Sequence, residues 1–210
     1  MFGLVMAACS SGSPQVTPSS TTLPPSEPVR LVAASTELQS QCAAAANRLG
    51  FAVPCPAQVP TLAGQGMTCP ASQGGMRASC VGGLDGFFLE LSGFDVPSGY
   101  VGADGKATGH LIVEANRHDD RPPIPCIGGK RVAKVVAGSW TTTEYRCPND
   151  SFAVQREARH GEGAHAGHLL LEWSRDGIDY IASAHGHTTV NLDLLKRLVG
   201  SMTLIPPGTA

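Results

Sequence analysis

Apolar residues recur at three- and four-residue spacing in two stretches of the chain, which is typical of amphipathic helices. The first stretch covers residues 35–49, where Ser35 or Thr36 can cap the helix start and a glycine follows the last apolar position. The second stretch covers residues 191–202, where Asn191 has a side chain suited to capping. The pattern therefore predicts one helix near each end of the folded part of the chain.

Between these helices the pattern changes to short runs of β-branched, aromatic and aliphatic residues. Glycine, proline, aspartate and asparagine separate the runs, as expected between strands. The runs predict strands over residues 87–91, 110–114, 131–136 and 140–145.

The strongest hairpin signal is Asp176-Gly177, which separates two apolar runs. A two-residue turn there would place Trp173 opposite Tyr180 and His168 opposite His185. One face of this hairpin is then apolar and suited to a core; it comprises Leu169, Leu171, Trp173, Tyr180, Ala182 and Ala184. The sequence thus predicts an α+β fold, in which an antiparallel sheet carries an N-terminal and a C-terminal helix packed on it.

Seven cysteines occur in the chain, and none forms a Cys-x-x-Cys pair. This spacing argues against zinc-ribbon and thioredoxin-like proteins. One cysteine lies at the N-terminus, which leaves six that can pair in disulfides and so staple the domain. Six cysteines allow 15 connectivities; we expect Cys42–Cys55, Cys69–Cys80 and Cys126–Cys147.

The N-terminus combines an apolar stretch, two alanines and a cysteine, followed by small polar residues. It resembles the lipobox of bacterial lipoproteins: Ala7 and Ala8 match the small positions before the cleavage site, and Cys9 matches the lipidated cysteine. Met6 stands where leucine is usual. The resemblance implies a palmitate-bearing lipid anchor on Cys9 and an extracytoplasmic place in the cell envelope. A signal peptide needs a basic segment and an apolar stretch of roughly 7–15 residues, so we expect the true start to lie upstream of Met1.

The segment after Cys9 is rich in serine, threonine and proline up to about residue 34. Such a composition buries too little apolar surface to compensate for the entropy lost on ordering. We therefore expect a partial signal segment over residues 1–9 and a disordered linker over 10–34. A single α+β domain over 35–206 and a tail over 207–210 complete the chain.

The formal net charge is −2, and lysine and arginine are scattered. Nucleic-acid-binding proteins usually carry a basic stripe, so we expect no nucleic-acid partner. No apolar run approaches the roughly 18 residues of a membrane-spanning helix.

Seven histidines raise the question of a metal site, because neutral imidazole is a common zinc ligand. Residues i and i+2 of a strand share a face, so His185 and His187 would point the same way as His168 on the paired strand. The hypothesis is a three-histidine zinc site with an open position. The interpretation that the sequence favours is a polar sheet face without metal, because there is no His-Glu-x-x-His motif and the glycine-rich spacing fixes ligand positions poorly.

Other catalytic motifs are missing from the sequence. No Gly-x-Ser-x-Gly elbow occurs, and if all six body cysteines pair, no thiol is left as a nucleophile. The sequence therefore favours a non-catalytic domain without a cofactor.

We expect a membrane-tethered envelope lipoprotein with a binding or accessory domain for a protein, a cell-wall component or a small molecule. The alternative is a metal-binding protein or a metal-dependent hydrolase that uses the histidines. A third hypothesis, a sensor of envelope stress, rests on a similarity to the ends of several bacterial envelope domains, such as anti-sigma-associated and lipoprotein-sorting-like modules. That similarity is carried by Trp173, Asp176, Gly177, Tyr180 and Ser201.

Overall fold

A computed structural model describes residues 29–61, 86–94, 100–101, 107–118, 128–148, 165 and 167–209. Two helices and eleven strands lie within these ranges. The helices are α1 (Thr36–Leu49) and α2 (Thr189–Gly200). The strands are β1 (Leu31–Ala33), β2 (Val53–Pro56), β3 (Gln58–Pro60), β4 (Phe87–Phe94), β5 (Tyr100–Val101), β6 (Ala107–Arg117), β7 (Lys130–Ala137), β8 (Trp140–Arg146), β9 (His168–Arg175), β10 (Ile178–His185) and β11 (Met202–Ile205).

The main sheet is antiparallel and has seven strands in the described part of the chain. Its order is β4-β6-β10-β9-β8-β7, and the short β5 also pairs with β6. The hairpin β9–β10 turns at Asp176 and Gly177, which have φ values of 54° and 74°. Such positive φ values at both turn positions fit the right-handed twist of a tight hairpin. The predicted register is confirmed, with Trp173 opposite Tyr180 and His168 opposite His185.

One face of this sheet supplies the main core, as the hairpin pattern predicted. Leucine, valine and alanine side chains from β4, β6, β9 and β10 are buried together with those of both helices. Helix α2 packs against β7, β9 and β10. The opposite face buries a smaller apolar cluster of Cys147, Leu170 and Ile181, and also many polar side chains, among them Glu114, Thr143, His168, Asp179 and Ser183.

Helix α1 forms where its pattern predicted it. The Ser35 side chain accepts a hydrogen bond from the backbone N–H of Leu38, and Gly50 ends the helix in the left-handed conformation. The principal contacts of α1 are with β2 and β11, which form a separate two-stranded sheet. The predicted packing of a helix on the main sheet is therefore clear for α2, whereas α1 mainly contacts the smaller sheet.

Helix α2 begins two residues before the predicted cap. Thr188 caps it by accepting a hydrogen bond from the backbone N–H of Asn191. Asn191 lies inside the helix, because its side-chain amide donates instead to the carbonyl oxygens of His185 and Gly186. The prediction of Asn191 as the N-cap was wrong, because Thr188, which also belongs to a residue type common at that position, takes the role three residues earlier.

The disulfide Cys42–Cys55 joins α1 to β2, and both cysteines are buried. Cys147 is also disulfide-bonded. The predicted pairs Cys69–Cys80 and Cys126–Cys147 each include at least one cysteine outside the described residues. Cys9 lies outside them as well.

Residues 29–34, the last part of the predicted linker, belong to the folded structure. Strand β1 pairs with β3, and Val29 just before it is buried. The folded domain therefore extends to the N-terminal side of residue 35. Neither described helix has the length and apolar character needed to cross a membrane.

Candidate metal centre

Three histidines lie side by side on the polar face of the main sheet. His110 lies on β6, His185 at the end of β10, and His168 at the start of β9. These three strands are neighbours, with β10 in the middle. His185 is directly opposite His168. Ala184 is opposite Leu111, so one further step along the antiparallel pair brings His185 level with His110.

The three imidazoles converge above the sheet. One ligand nitrogen from each histidine lies within 4.8 Å of the other two. The ring centroids of His110 and His168 are 4.7 Å apart, although a strand separates their backbones, and those of His168 and His185 are 5.2 Å apart. Tetrahedral zinc with bonds of about 2.0–2.1 Å needs nitrogens about 3.3 Å apart. Small side-chain rotations would therefore bring the three nitrogens to ligand distance.

The electrostatics of the cluster keep the imidazoles neutral. Burial lowers the pKa of His110 to about 4, and the neighbouring His185 and His165 add to this effect. Burial, followed by the effect of His110 and the other surrounding histidines, lowers the pKa of His168 well below its ordinary value. Burial and His187 lower the pKa of His185 as well. Each ring therefore keeps a lone pair at neutral pH, which a metal ligand requires.

A chain of buried polar contacts continues from His168 away from the cluster. Nδ1 of His168 lies 3.0 Å from the hydroxyl oxygen of Ser183, and Nδ1 of His165 lies 3.2 Å from the same oxygen. Nε2 of His165 has no aligned hydrogen-bond partner, but a carboxylate oxygen of Glu114 lies 3.2 Å from it. All four side chains are buried. With Nδ1 of His168 engaged by Ser183, its Nε2 is the nitrogen left for a metal.

The backbone around His185 is held from two sides. The side-chain amide of Asn191 donates hydrogen bonds to the carbonyl oxygens of His185 and Gly186, at 2.6 and 2.9 Å. The backbone N–H of Gly186 donates to the carbonyl oxygen of Gly167, next to His168. Two of the three strands that carry the histidines are thus tied together at the level of the site.

The structure brings together two of the three histidines of the sequence hypothesis and adds a third. His168 and His185 lie in the cluster, whereas the exposed His187 donates from Nε2 to the carbonyl oxygen of His168. The alternation of side chains between the two faces of β10 does not extend to His187, because the strand ends at His185 and Gly186 has a φ of 89°. His110 was not anticipated; it lies at the start of a predicted strand, but its place beside β10 depends on strand order.

Three neutral imidazole nitrogens suit zinc, copper, nickel or cobalt, whereas magnesium and calcium prefer oxygen ligands. No protein-family model, curated protein or solved structure matches this chain.

A second polar cluster lies at the other end of the same face. The hydroxyl of Ser174 donates to Asp179 at 2.6 Å, and Nδ1 of His118 lies 2.9 Å from the other oxygen of that carboxylate. The hydroxyl thus contacts the carboxylate rather than the imidazole, whereas a serine nucleophile needs its base within hydrogen-bond reach. This cluster does not support a catalytic serine.

Proposed function

We propose that the folded domain binds one divalent transition-metal ion, with zinc as the reference ion, through His110, His168 and His185. A single observation carries this proposal: ligand nitrogens of all three histidines lie within 4.8 Å of one another. The metal ion is then the small ligand of an envelope binding domain, and the protein is an extracytoplasmic lipoprotein tethered through Cys9.

The burial and the lowered pKa values of the three histidines support a metal site rather than a polar surface without metal. Three rings with lowered pKa values lie close together at the edge of a buried region. Their nitrogens lose hydration there, and mutual repulsion disfavours protonation. Metal coordination would use the lone pairs that this environment preserves, and His110 and His185 are both partly exposed, which leaves a path for an ion.

Metal content is the direct test. The oxidised chain, produced without a polyhistidine tag, should contain about one zinc per molecule by elemental mass spectrometry after loading and desalting. His110→Ala should lose the zinc, because the remaining pair of ligands holds it far more weakly. His118→Ala is the matched control, since it removes an exposed histidine just beyond the far end of β6, the strand that carries His110.

Two results would contradict the proposal. One is a wild-type chain that stays free of metal and whose thermal stability does not change with added zinc or copper. The other is a His110→Ala variant that retains as much zinc as the wild type and the His118→Ala control.

The lipid anchor and the envelope location are supported by two features. The N-terminal segment resembles a lipobox, and the domain contains the disulfide Cys42–Cys55, a bond typical of oxidising compartments. When the chain is expressed behind a complete signal segment upstream of Met1, metabolic labelling with a palmitate analogue in a bacterial host should label the wild type but not Cys9→Ser. Equal labelling of both, or of neither, would contradict the anchor.

Hydrolysis by a metal-bound water is the second candidate function. Three protein ligands and an open position are the composition of catalytic zinc sites, whereas structural sites usually have four protein ligands. Among the described residues, three ligands converge. Zinc-loaded chain should then hydrolyse an activated ester faster than chain treated with a chelator, and this difference should vanish in His110→Ala.

A further inference from the structure

We infer that Glu114 and His165 are positioning residues for the metal centre, which act through Ser183 to hold the ring proton of His168 on Nδ1. Nε2 of His168 is thereby kept unprotonated and available to the metal. This inference rests on the proposed metal site and names the residues that prepare one of its ligands.

The four groups are supplied by separate elements that the fold brings together. Glu114 lies on β6, Ser183 on β10 and His168 on β9, so the chain of contacts crosses three neighbouring strands. His165 precedes β9 and is 99% buried, with its Nδ1 on Ser183 and its Nε2 beside Glu114. Ser183 is fully buried and lies between the two histidines. No member of this set is a surface side chain.

The position of each ring proton follows from the carboxylate of Glu114, which lies at one end of this series of contacts. A carboxylate oxygen of Glu114 lies 3.2 Å from Nε2 of His165; the pair is not aligned as a hydrogen bond, but the negative charge favours an N–H over a lone pair on that nitrogen. In a neutral imidazole the other nitrogen, Nδ1, is then an acceptor. The hydroxyl of Ser183 donates to that Nδ1, so the Ser183 oxygen is left to accept from Nδ1–H of His168. Nε2 of His168 consequently carries a lone pair.

The opposite arrangement would place a nitrogen lone pair against a carboxylate. If the hydroxyl of Ser183 donated to His168, His165 would have to donate from Nδ1 and leave Nε2 unprotonated. The lone pair of that Nε2 would then face the Glu114 carboxylate in a buried region, where such repulsion is strong. His168 would then carry its proton on Nε2, the nitrogen that the metal needs. The carboxylate thus selects the tautomer that can bind.

Groups outside the ligand set commonly prepare a metal ligand in this way. A ligand histidine is oriented and fixed in one tautomer by the partner of its second nitrogen, and loss of that partner weakens metal binding about 10- to 100-fold. In this protein the carboxylate of Glu114 does not act on His168 by contact. It acts through His165 and Ser183, which form a relay between the two side chains.

The tautomer can be measured without any metal. In the metal-free chain labelled with ¹⁵N in its histidines, correlation spectra of the ring nitrogens should show His168 protonated on Nδ1. Glu114→Gln, an isosteric change, should produce a mixture of the two tautomers, and Ser183→Ala should do the same. Asp179→Asn is the matched control; it neutralises a similarly buried carboxylate on the same face, six residues along β10 from His185, roughly 20 Å away.

Zinc affinity, measured by competition with a chromophoric chelator, completes the test. Glu114→Gln and Ser183→Ala should weaken binding about 10- to 100-fold, while Asp179→Asn should stay within about twofold of wild type. A wild-type His168 protonated on Nε2, or tautomer and affinity unchanged in both relay variants, would overturn the inference. A wild type that binds no zinc would refute the proposed function, while the tautomer of the metal-free protein would still decide the relay.

Discussion

Acidification of the metal-free protein should reduce its stability in a pH range that the histidine cluster sets. The pKa of His110 is about 4 in the folded chain, against an ordinary value of 6.5. The unfolded chain therefore binds a proton at this residue between about pH 6.5 and pH 4, where the folded chain does not. Stability from this residue is present above pH 6.5 and is lost as the pH falls toward 4.

The size of the effect follows from the two pKa values. Between about pH 7.5 and pH 5, His110 alone should remove about 2 kcal/mol from the free energy of unfolding. The lowered pKa values of His168 and His185 act in the same direction. A loss of this size is a considerable part of the 5–15 kcal/mol that is typical of folded domains, as an order of magnitude.

Urea unfolding in the presence of a chelator, followed by the fluorescence of Trp140 and Trp173, would measure this loss at each pH. The matched variant is His110→Gln, which keeps the size and polarity of the side chain but does not titrate. Wild type should lose about 2 kcal/mol more than the variant between about pH 7.5 and pH 5. Equal losses in the two proteins, within about 0.5 kcal/mol, would refute the reasoning about His110.

Two further predictions concern the scaffold. Replacing Cys42 and Cys55 together by alanine opens a disulfide with a sequence separation of 13 and should cost about 3 kcal/mol, seen as a melting temperature lower by roughly 6–12 °C; a shift below about 2 °C would contradict it. Gly138→Ala should destabilise the protein by about 1–3 kcal/mol, because the residue has a φ of 60° and a Cβ there would lie 2.7 Å from the backbone of Gly200. Gly208→Ala, at another positive φ but with no atom within 4 Å of its Cβ, should lower the free energy of unfolding by less. Urea unfolding would measure the loss in both glycine variants.

Local patterns were enough to predict much of the scaffold. The Asp176-Gly177 turn defines the register of β9 and β10, because a two-residue loop leaves no freedom in the pairing. Helix α1 carries its own start and stop signals in Ser35 and Gly50. The expected disulfide Cys42–Cys55, in a chain whose six body cysteines allow 15 connectivities, is present.

The composition of the histidine cluster depends on contacts between distant parts of the chain. His110 is 58 positions before His168, and only the placement of β10 between β6 and β9 brings the two histidines together. No periodicity in the sequence encodes that strand order. The same holds for Glu114 and His165, whose roles appear only once Ser183 is seen between them.

Because the three histidines lie on β6, β10 and β9, they can meet only after these three strands have assembled. Any fragment that lacks one of these strands lacks a ligand, and closing the loop from β6 to β9 carries an entropic penalty that local hairpins do not share. Bound metal would then report that the whole middle of the sheet has assembled. If the chain is exported unfolded, as the proposed lipoprotein would be, the site would first exist on the far side of the membrane, so the ions of that compartment would decide which metal it holds.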